Sequence, residues 1–431
     1  MKKKILAGLL ILASMATMAG CGNGNMQILT PPEEDPTHNT GTSEPAITGG
    51  VSGYEFQERQ MSANNTINSA IITDMIAEAN AGANVMYSPT SLNLALGLAG
   101  EGASGEGREL INTFLGTDNY ADRAQQLMNG FADYNFEDEY EGYSCKLEVA
   151  NALWVDKRIK LNKEFESVAS AKYQAKAGEV DFSDAQNACN KINEWANDNT
   201  HGLIPAIVDP SVINPDTRLC ITNSLYFESA WSEEWSLNPN EADFTLFDGS
   251  TQPINYISSE GGAYYENEYA TAFSCSYING IKFIGILPKA EGEFTLEGLD
   301  IDSLLASKNY NHDELYYKMP RLNFETSNSL NDAFKAIGMG KLFGEGAGFD
   351  GIAQDDNLFI SSIIQKTKLE LDQYGTKAAA VTAIMMDCES AAMIEEDPIV
   401  RRVYLDRPFA FLIYDEENAE ILFMGKVVTA L

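Results

Sequence analysis

Covalent catalysis at a Ser, Cys or Thr needs a base within reach, most often a histidine. This chain has three histidines: His38, His201 and His312. His201 lies in Asn199-Thr200-His201-Gly202 and reads as a surface turn residue; His312 sits in a polar loop. No general base stands near any Ser or Cys, so no catalytic residue is assigned. The six cysteines at 21, 145, 189, 220, 275 and 388 form no CxxC pair. The acidic run from Asp133 to Glu141 lacks the Gly and closing Glu of a calcium loop and reads as a solvated face. Gly346-Ala347-Gly348-Phe349-Asp350-Gly351 matches GxGxxG in letters. No strand precedes it and no helix follows it, so it reads as a turn. No Walker loop, HExxH or GxSxG occurs. No metal and no cofactor is expected.

The segment with distinctive spacing is 372–398, DQYGTKAAAVTAIMMDCESAAMIEEDP. Taken two residues at a time, one phase is Thr376, Ala378, Ala380, Thr382, Ile384, Met386 and Cys388, small and then apolar. The other is Lys377, Ala379, Val381, Ala383, Met385 and Asp387, charged at both ends. A strand sends alternate side chains to opposite faces. The first phase could enter a sheet while Lys377 and Asp387 stay at its surface. AAAVTA has no bulk, however, and a loose acidic stretch ending at Pro398 follows. The segment is able to be a strand without being obliged to be one. An ordinary Ala-rich connector fits the alternation equally well.

Such a segment needs a large body to act on. The chain has 431 residues, 44 % hydrophobic and 21 % charged, which excludes pure disorder, collagen and a multi-span membrane protein. The length allows two or three domains or one large α/β unit. With 29 Lys and Arg against 63 Asp and Glu the formal charge is −34, which repels nucleic acid and anionic lipid. Residues 1–20 are an address: Lys2, Lys3 and Lys4 precede an apolar run, Ile5 to Ala13, too short to span a bilayer, which needs roughly 20 residues. Met18-Ala19-Gly20-Cys21 resembles the lipobox of bacterial lipoproteins, which implies lipid on Cys21 and an exported protein, at the cell surface or extracellular, held to the membrane through that anchor alone. Residues 21–52, rich in Gly, Asn, Thr, Pro and acid, read as a disordered tether. Without Cys21 five cysteines remain, so at least one thiol stays free unless it pairs between molecules; Cys145 and Cys220 read as core thiols.

Residues 53–431 read as one domain. Ile67 to Ala79 has helical spacing, and NVMYSPTSLNLALGLAG (84–100) predicts a short strand, a Pro stop and a helix opened by Ser91. Strands are predicted at 145–155, 218–227, 281–287 and 358–372, a helix at 184–198, and a hairpin from 409–415 and 420–428. Long strands cluster late and helices early, which predicts an α+β protein with large mixed or antiparallel sheets.

The hinge-like Gly375-Thr376-Lys377-Ala378-Ala379-Ala380-Val381-Thr382 is matched downstream by Asp406-Arg407-Pro408-Phe409, FLIYD and ILFMGKVV. Upstream, in order, stand NVMYSPTS (84–91), Asn151-Ala152-Leu153, Asp181-Phe182, Ile192-Asn193-Glu194-Trp195, Thr200-His201-Gly202, Asn223, Tyr226-Phe227, Trp231, Leu287-Pro288, Met319-Pro320-Arg321-Leu322 and Leu342-Phe343. Over nearly all of 54–431 the chain resembles the serpin family. The resemblance implies a stressed fold of three sheets and eight or nine helices with an exposed reactive-centre loop at about 373–398. It implies a monomer that baits a serine protease, forms an acyl-enzyme and traps it by inserting the loop into the main sheet. The hinge is then Gly375, Thr376, Ala378, Ala380 and Thr382, and the polar cluster under the opening sheet is Ser88, Ser91, Asn223 and Gln365.

Three departures stand out. Tyr374 occupies a position usually acidic, Lys377 replaces a usual Glu, and Gln365 stands where many members have His. Gln can still donate and accept. Fourteen residues beyond Gly375, the family's usual spacing, the bait bond is Glu389–Ser390; the long stretch before Pro408 leaves Cys388, Met386 and Met393 as alternatives. No Lys or Arg lies between Ala378 and Val400, which points to elastase-like or chymotrypsin-like targets rather than trypsin-like ones. The competing reading is a non-inhibitory member acting as a binding protein.

Overall fold

The apolar periodicities sort the chain into helices first and mainly strands later. A computed structural model describes residues 65–80, 82–138, 143–213, 215–309, 314–353, 358–376 and 399–429. The expected leader (1–20), the expected tether with Cys21 and residues 377–398 lie outside them. The first stretch holds α1 (Asn65–Ala79), β1 (Val85–Tyr87), α2 (Pro89–Glu101), α3 (Gly105–Leu115) and α4 (Tyr120–Asp133). α2 begins earlier than expected: Ser88, not Ser91, is its cap. The Ser88 hydroxyl accepts from Ser91 N at 3.4 Å, and Pro89 fills the first turn, where a missing N–H costs nothing. Every residue of α2 from Pro89 to Gly100 is buried, which fits its lack of charge before Glu101.

Next come β2 (Phe136–Asp138), β3 (Tyr143–Asp156), α5 (Lys163–Tyr173), β4 (Lys176–Val180), α6 (Ala185–Asn199) and β5 (Leu219–Ala230). Then follow β6 (Ser236–Leu237), β7 (Ala242–Thr245), β8 (Thr251–Ile254), β9 (Tyr256–Glu260), β10 (Ala263–Glu266), β11 (Ala270–Ser276), β12 (Lys282–Pro288) and α7 (Ile301–Ala306). The chain closes with β13 (Glu314–Pro320), β14 (Leu322–Ser329), α8 (Asn331–Phe334), β15 (Ser362–Asp372), β16 (Gly375–Thr376), β17 (Val400–Tyr404), β18 (Phe409–Asp415) and β19 (Glu420–Val427).

Three sheets dominate. One has six strands in the order β1-β19-β18-β12-β11-β10, one has four in the order β17-β13-β9-β6, and the central one runs β14-β15-β16-β5-β3-β2 with β4 beside β3. β7 and β8 form a separate hairpin. This is the expected α+β arrangement, with eight α-helices among the described residues.

The glycine motif at 346–351 is a loop. Gly346 and Gly348 have φ of +73° and +83°, and Ser104 N donates to Gly348 O at 2.6 Å. His201, with φ of +48°, is an exposed turn residue whose Nε2 lies 2.7 Å from a Glu148 oxygen. Cys145, Cys189, Cys220 and Cys275 are free and buried; Cys388 and His312 lie outside the described residues.

Candidate functional site

The central sheet has a gap. β5 and β15 are parallel neighbours, yet they pair only from Ser362↔Cys220 to Gln365↔Asn223. Beyond that row β15 runs on to Asp372 and β5 to Ala230. Lys366 to Glu370 pair with β14 on one side, and Ser224 to Glu228 pair with β3 on the other. Among the described residues nothing pairs with the sides that face each other. Two strands are thus presented edge to edge with backbone groups turned inward, the arrangement an added strand can complete.

Among the described residues only the far end of the gap is filled. After Asp372 the chain turns at Gln373-Tyr374 and β16 enters between the strands. Gly375 pairs with Asp372 and Ala230, and Thr376 with Leu371 and Ser229. Both are buried, so these first two hinge residues stand in the sheet rather than in an exposed loop. Trp231 grips the turn: its Nε1 donates to Asp372 O at 2.9 Å and its backbone N to Tyr374 O at 3.1 Å. The Tyr374 N–H is turned onto Asp372 Oδ1 at 2.8 Å. Tyr277 OH and Thr376 Oγ1 share a hydrogen bond of 2.7 Å. Burial pushes the Tyr277 phenol far above its ordinary range, so the hydroxyl stays protonated.

At the near end the strands are joined by amides. Asn151, Asn223 and Gln365 occupy one row across β3, β5 and β15. Gln365 Nε2 donates to Asn223 Oδ1 at 3.2 Å and to Ser88 O at 3.0 Å, while Gln365 Oε1 accepts from Ser88 N at 2.8 Å. Thr367 donates to Met86 O at 3.0 Å in the next inward row. Asn223 Nδ2, both amide atoms of Asn151, Ser91 Oγ and Ser224 Oγ are buried without a hydrogen-bond partner. An unmet buried polar group costs about 1–3 kcal/mol. This join therefore holds unused hydrogen-bonding capacity at the place where an incoming strand would have to part it.

β15 has two faces. Gln365, Thr367, Leu369 and Leu371 are buried, whereas Lys366, Lys368, Glu370 and Asp372 are half-buried. α6 covers part of the sheet: Trp195 meets Trp154 edge-on at 6.0 Å, in a cluster with Cys220 and Ile364. The chain that leaves at Thr376 is met again at Ile399 and Val400, both exposed, where β17 pairs in parallel with β13.

Gly375, Thr376 and the four polar-cluster residues are thus brought to the two ends of one gap. Ala378, Ala380, Thr382 and the bait candidates Met386, Cys388, Glu389, Ser390 and Met393 lie outside the described residues. Sequence reading assigned no role to Asn151, Thr367 or Tyr277. A polar residue inside the apolar run CKLEVANALWV was a usable signal for Asn151; Tyr277 meets Thr376 from 99 residues away, and no local pattern announces that.

A family model described as Serpin (serine protease inhibitor) matches residues 63–430. An uncharacterized serpin-like protein of Thermococcus kodakarensis is 31 % identical over 435 residues, covering 97 % of this chain and 98 % of its own length. Human neuroserpin is 28 % identical, covering 80 % of this chain and 86 % of its own length. Among solved structures, Serpin48 of the insect Tenebrio molitor superposes with a TM-score of 0.71 at 25 % identity, over 85 % of this chain and 98 % of that one. The thermophilic serpin tengpin in its native state superposes with a TM-score of 0.69 at 24 % identity, over 86 % of this chain and 96 % of that one.

Proposed function

The chain belongs to the serpin family, and from that premise we propose that it inhibits serine proteases as a suicide substrate. The protease serine oxygen attacks the carbonyl of the bait residue. The peptide C–N bond breaks, and its nitrogen leaves as the new amino terminus of the C-terminal piece. The chain up to the bait stays on the protease as an ester. Residues 377 onward then enter the gap between β5 and β15 and carry the protease along, so that hydrolysis of the ester stalls.

The gap with its hinge at one end is the observation that carries this reading. Continued antiparallel from Thr376, the register puts position 378 beside Phe227 and Leu369, 380 beside Leu225 and Thr367, and 382 beside Asn223 and Gln365. Those are buried rows. The residues are Ala378, Ala380 and Thr382, small enough to enter, and the Thr382 hydroxyl would arrive at the amide Nδ2 of Asn223 that lacks an acceptor. Positions up to 381 fill the open gap; from 382 onward the four-row join must part.

The target we infer is elastase-like or chymotrypsin-like, cutting at Glu389–Ser390 or at a neighbouring small or apolar residue. A glutamyl-specific enzyme fits Glu389 itself. We also infer export and lipid on Cys21, with the folded part monomeric. Incubation with a panel of serine proteases tests the main reading: an inhibitor yields a complex that survives SDS, and a cut without complex at every enzyme overturns it. A trypsin complex cut within 384–394 would refute the specificity. Equal membrane retention of Cys21→Ala and wild type would refute the anchor.

A further inference from the structure

The hinge is seated before any bond is cut, and its seat is specific. Gly375 has φ of +145°, and a Cβ there would stand 2.2 Å from Ser229 O and 2.7 Å from Ala230 Cα. Only glycine fits so close to β5. One residue on, the Thr376 hydroxyl meets Tyr277 OH. Tyr277 lies one residue past β11, on neither strand that borders the gap. Its ring stacks on Trp231 with centroids 4.3 Å apart and planes 13° apart, and Phe227 meets it edge-on at 4.9 Å. Its NH donates to Ile281 O at 2.8 Å. The hydroxyl is a fixed post.

We propose that Tyr277 is a positioning residue that sets the register of loop insertion. This rests on the inhibitory reading and adds to it the group that decides which phase goes in. Register is weakly specified in runs with little side-chain shape, and a slip of one residue exchanges the two faces. The run after Thr376 is mostly alanine, so its own side chains distinguish registers poorly. The glycine-only seat of Gly375 opposes a slip by clash, but the two backbone pairs add no attractive side-chain contact against the weakness of the run that follows. A hydrogen bond from the buried phase to a post outside the two strands removes it, because an outward-facing residue 376 cannot reach Tyr277. The seated hinge also means that the first pairs of the new strand are already closed when the bait is cut, so insertion extends an end instead of searching for one.

Tyr277→Phe keeps the ring and its stacking but removes the hydroxyl, and Thr376→Val keeps the branched shape. Each should raise the number of inhibitor molecules consumed per protease inactivated about fivefold, the scale of one lost hydrogen bond. The rate of association with protease should stay within about twofold, since the bait is untouched. The double variant should resemble either single one, because both remove the same bond. Unchanged consumption in both single variants, or effects that multiply in the double, would overturn the proposal. A second arm needs no inhibition. A metalloprotease, which forms no acyl-enzyme, cuts the loop, and Trp231 fluorescence follows insertion; both variants should insert more slowly than wild type, and equal rates overturn the proposal. If the wild type traps no serine protease the inhibitory reading fails, while this arm still decides on Tyr277.

Discussion

In the six-stranded sheet β18 pairs with β12 from Ala410 to Ile413 and on to Tyr414, and with β19 from Phe409 to Asp415. Almost every side chain of FAFLIYD and EILFMGKV is buried, so both faces are packed. In the central sheet β5 and β15 pair over four rows and then part. The chemistry of the strands matches the difference. β15 reads SIIQKTKLELD, with four charges on its outward phase and Gln365 and Thr367 on its inward one. Those two bind the backbone of Met86 and Ser88 beneath them. An apolar ladder cannot be opened without wetting it, at about 25 cal/mol per Å². A polar row can exchange one hydrogen-bond partner for another at small net cost. On the proposed mechanism the molecule keeps its permanent stability in one sheet and its capacity to change in the other.

The sharpest break of this comparison is a charge sent into the gap. Ala380→Arg or Thr382→Arg places an unpaired guanidinium on the buried phase, a cost of several kcal/mol in practice, about 3 or more. Each should raise the inhibitor consumed per protease at least tenfold and turn the protein into a substrate, while Ala379→Arg on the outward phase should be far milder. Equal effects at 379 and 380 would show that the alternation does not govern insertion. Phe411→Ala strikes the closed sheet. Phe411 is fully buried and stacks on Phe283 at 5.7 Å. The expected loss is about 3–5 kcal/mol, alike in the uncut and the cut protein. Calorimetry of both forms checks it, and a loss confined to one form would mean that this sheet also rearranges.

The long strands were legible because they are long and apolar: RLCITNSLYF, IKFIGIL and the terminal hairpin all lie where their runs place them. β15 starts at Ser362 rather than 358, since Leu358 and Ile360 are buried without joining the ladder. β1, three residues long, was legible because the Pro stop after it marks its end, whereas β8 and β10 were not, because so short a run without such a stop has no period to read. At the site, the resemblance of Gly375-Thr376-Lys377-Ala378-Ala379-Ala380-Val381-Thr382 to a family hinge pointed to the segment but not to its seat. Pairing of Thr376 with Ser229, its bond to Tyr277 and the Trp231 hold on Asp372 all join residues remote in sequence. The register of the gap follows from those contacts.

A smaller effect is expected at the join. Gln365→Ala removes three hydrogen bonds and leaves Ser88 N and Asn223 Oδ1 buried without their partner. About 1–3 kcal/mol should be lost from the uncut protein. The cut form should lose less, because Thr382 then stands between Asn223 and position 365. Thermal midpoints of the two forms, each with and without the change, measure this; a larger loss in the cut form would place Thr382 elsewhere.

The smallest effect lies on the outward phase and tests the register by charge alone. Stepping once beyond Thr376 puts position 377 between Glu228 of β5 and Glu370 of β15. Glu228 accepts from Ser144 Oγ at 2.6 Å and from Tyr226 OH, and Glu370 lies 2.6 Å from Lys368. Both carboxylates are half-buried. The residue that arrives is Lys377, a cation between two anions. Opposite charges facing across strands contribute about 0.2–1 kcal/mol, and exposed pairs fade with salt. Lys377→Glu would set three carboxylates in one row and should raise the inhibitor consumed per protease about two- to fivefold at low salt, an effect that shrinks in high salt. Glu370→Lys in the same chain gives position 377 an opposite charge on the β15 side while Glu228 stays on the other, and should return part of the loss. If Lys377→Glu acts equally at all salt concentrations and Glu370→Lys does not rescue it, position 377 does not enter that row. The gap would then be filled in another register, even with Ala380 still on the buried phase.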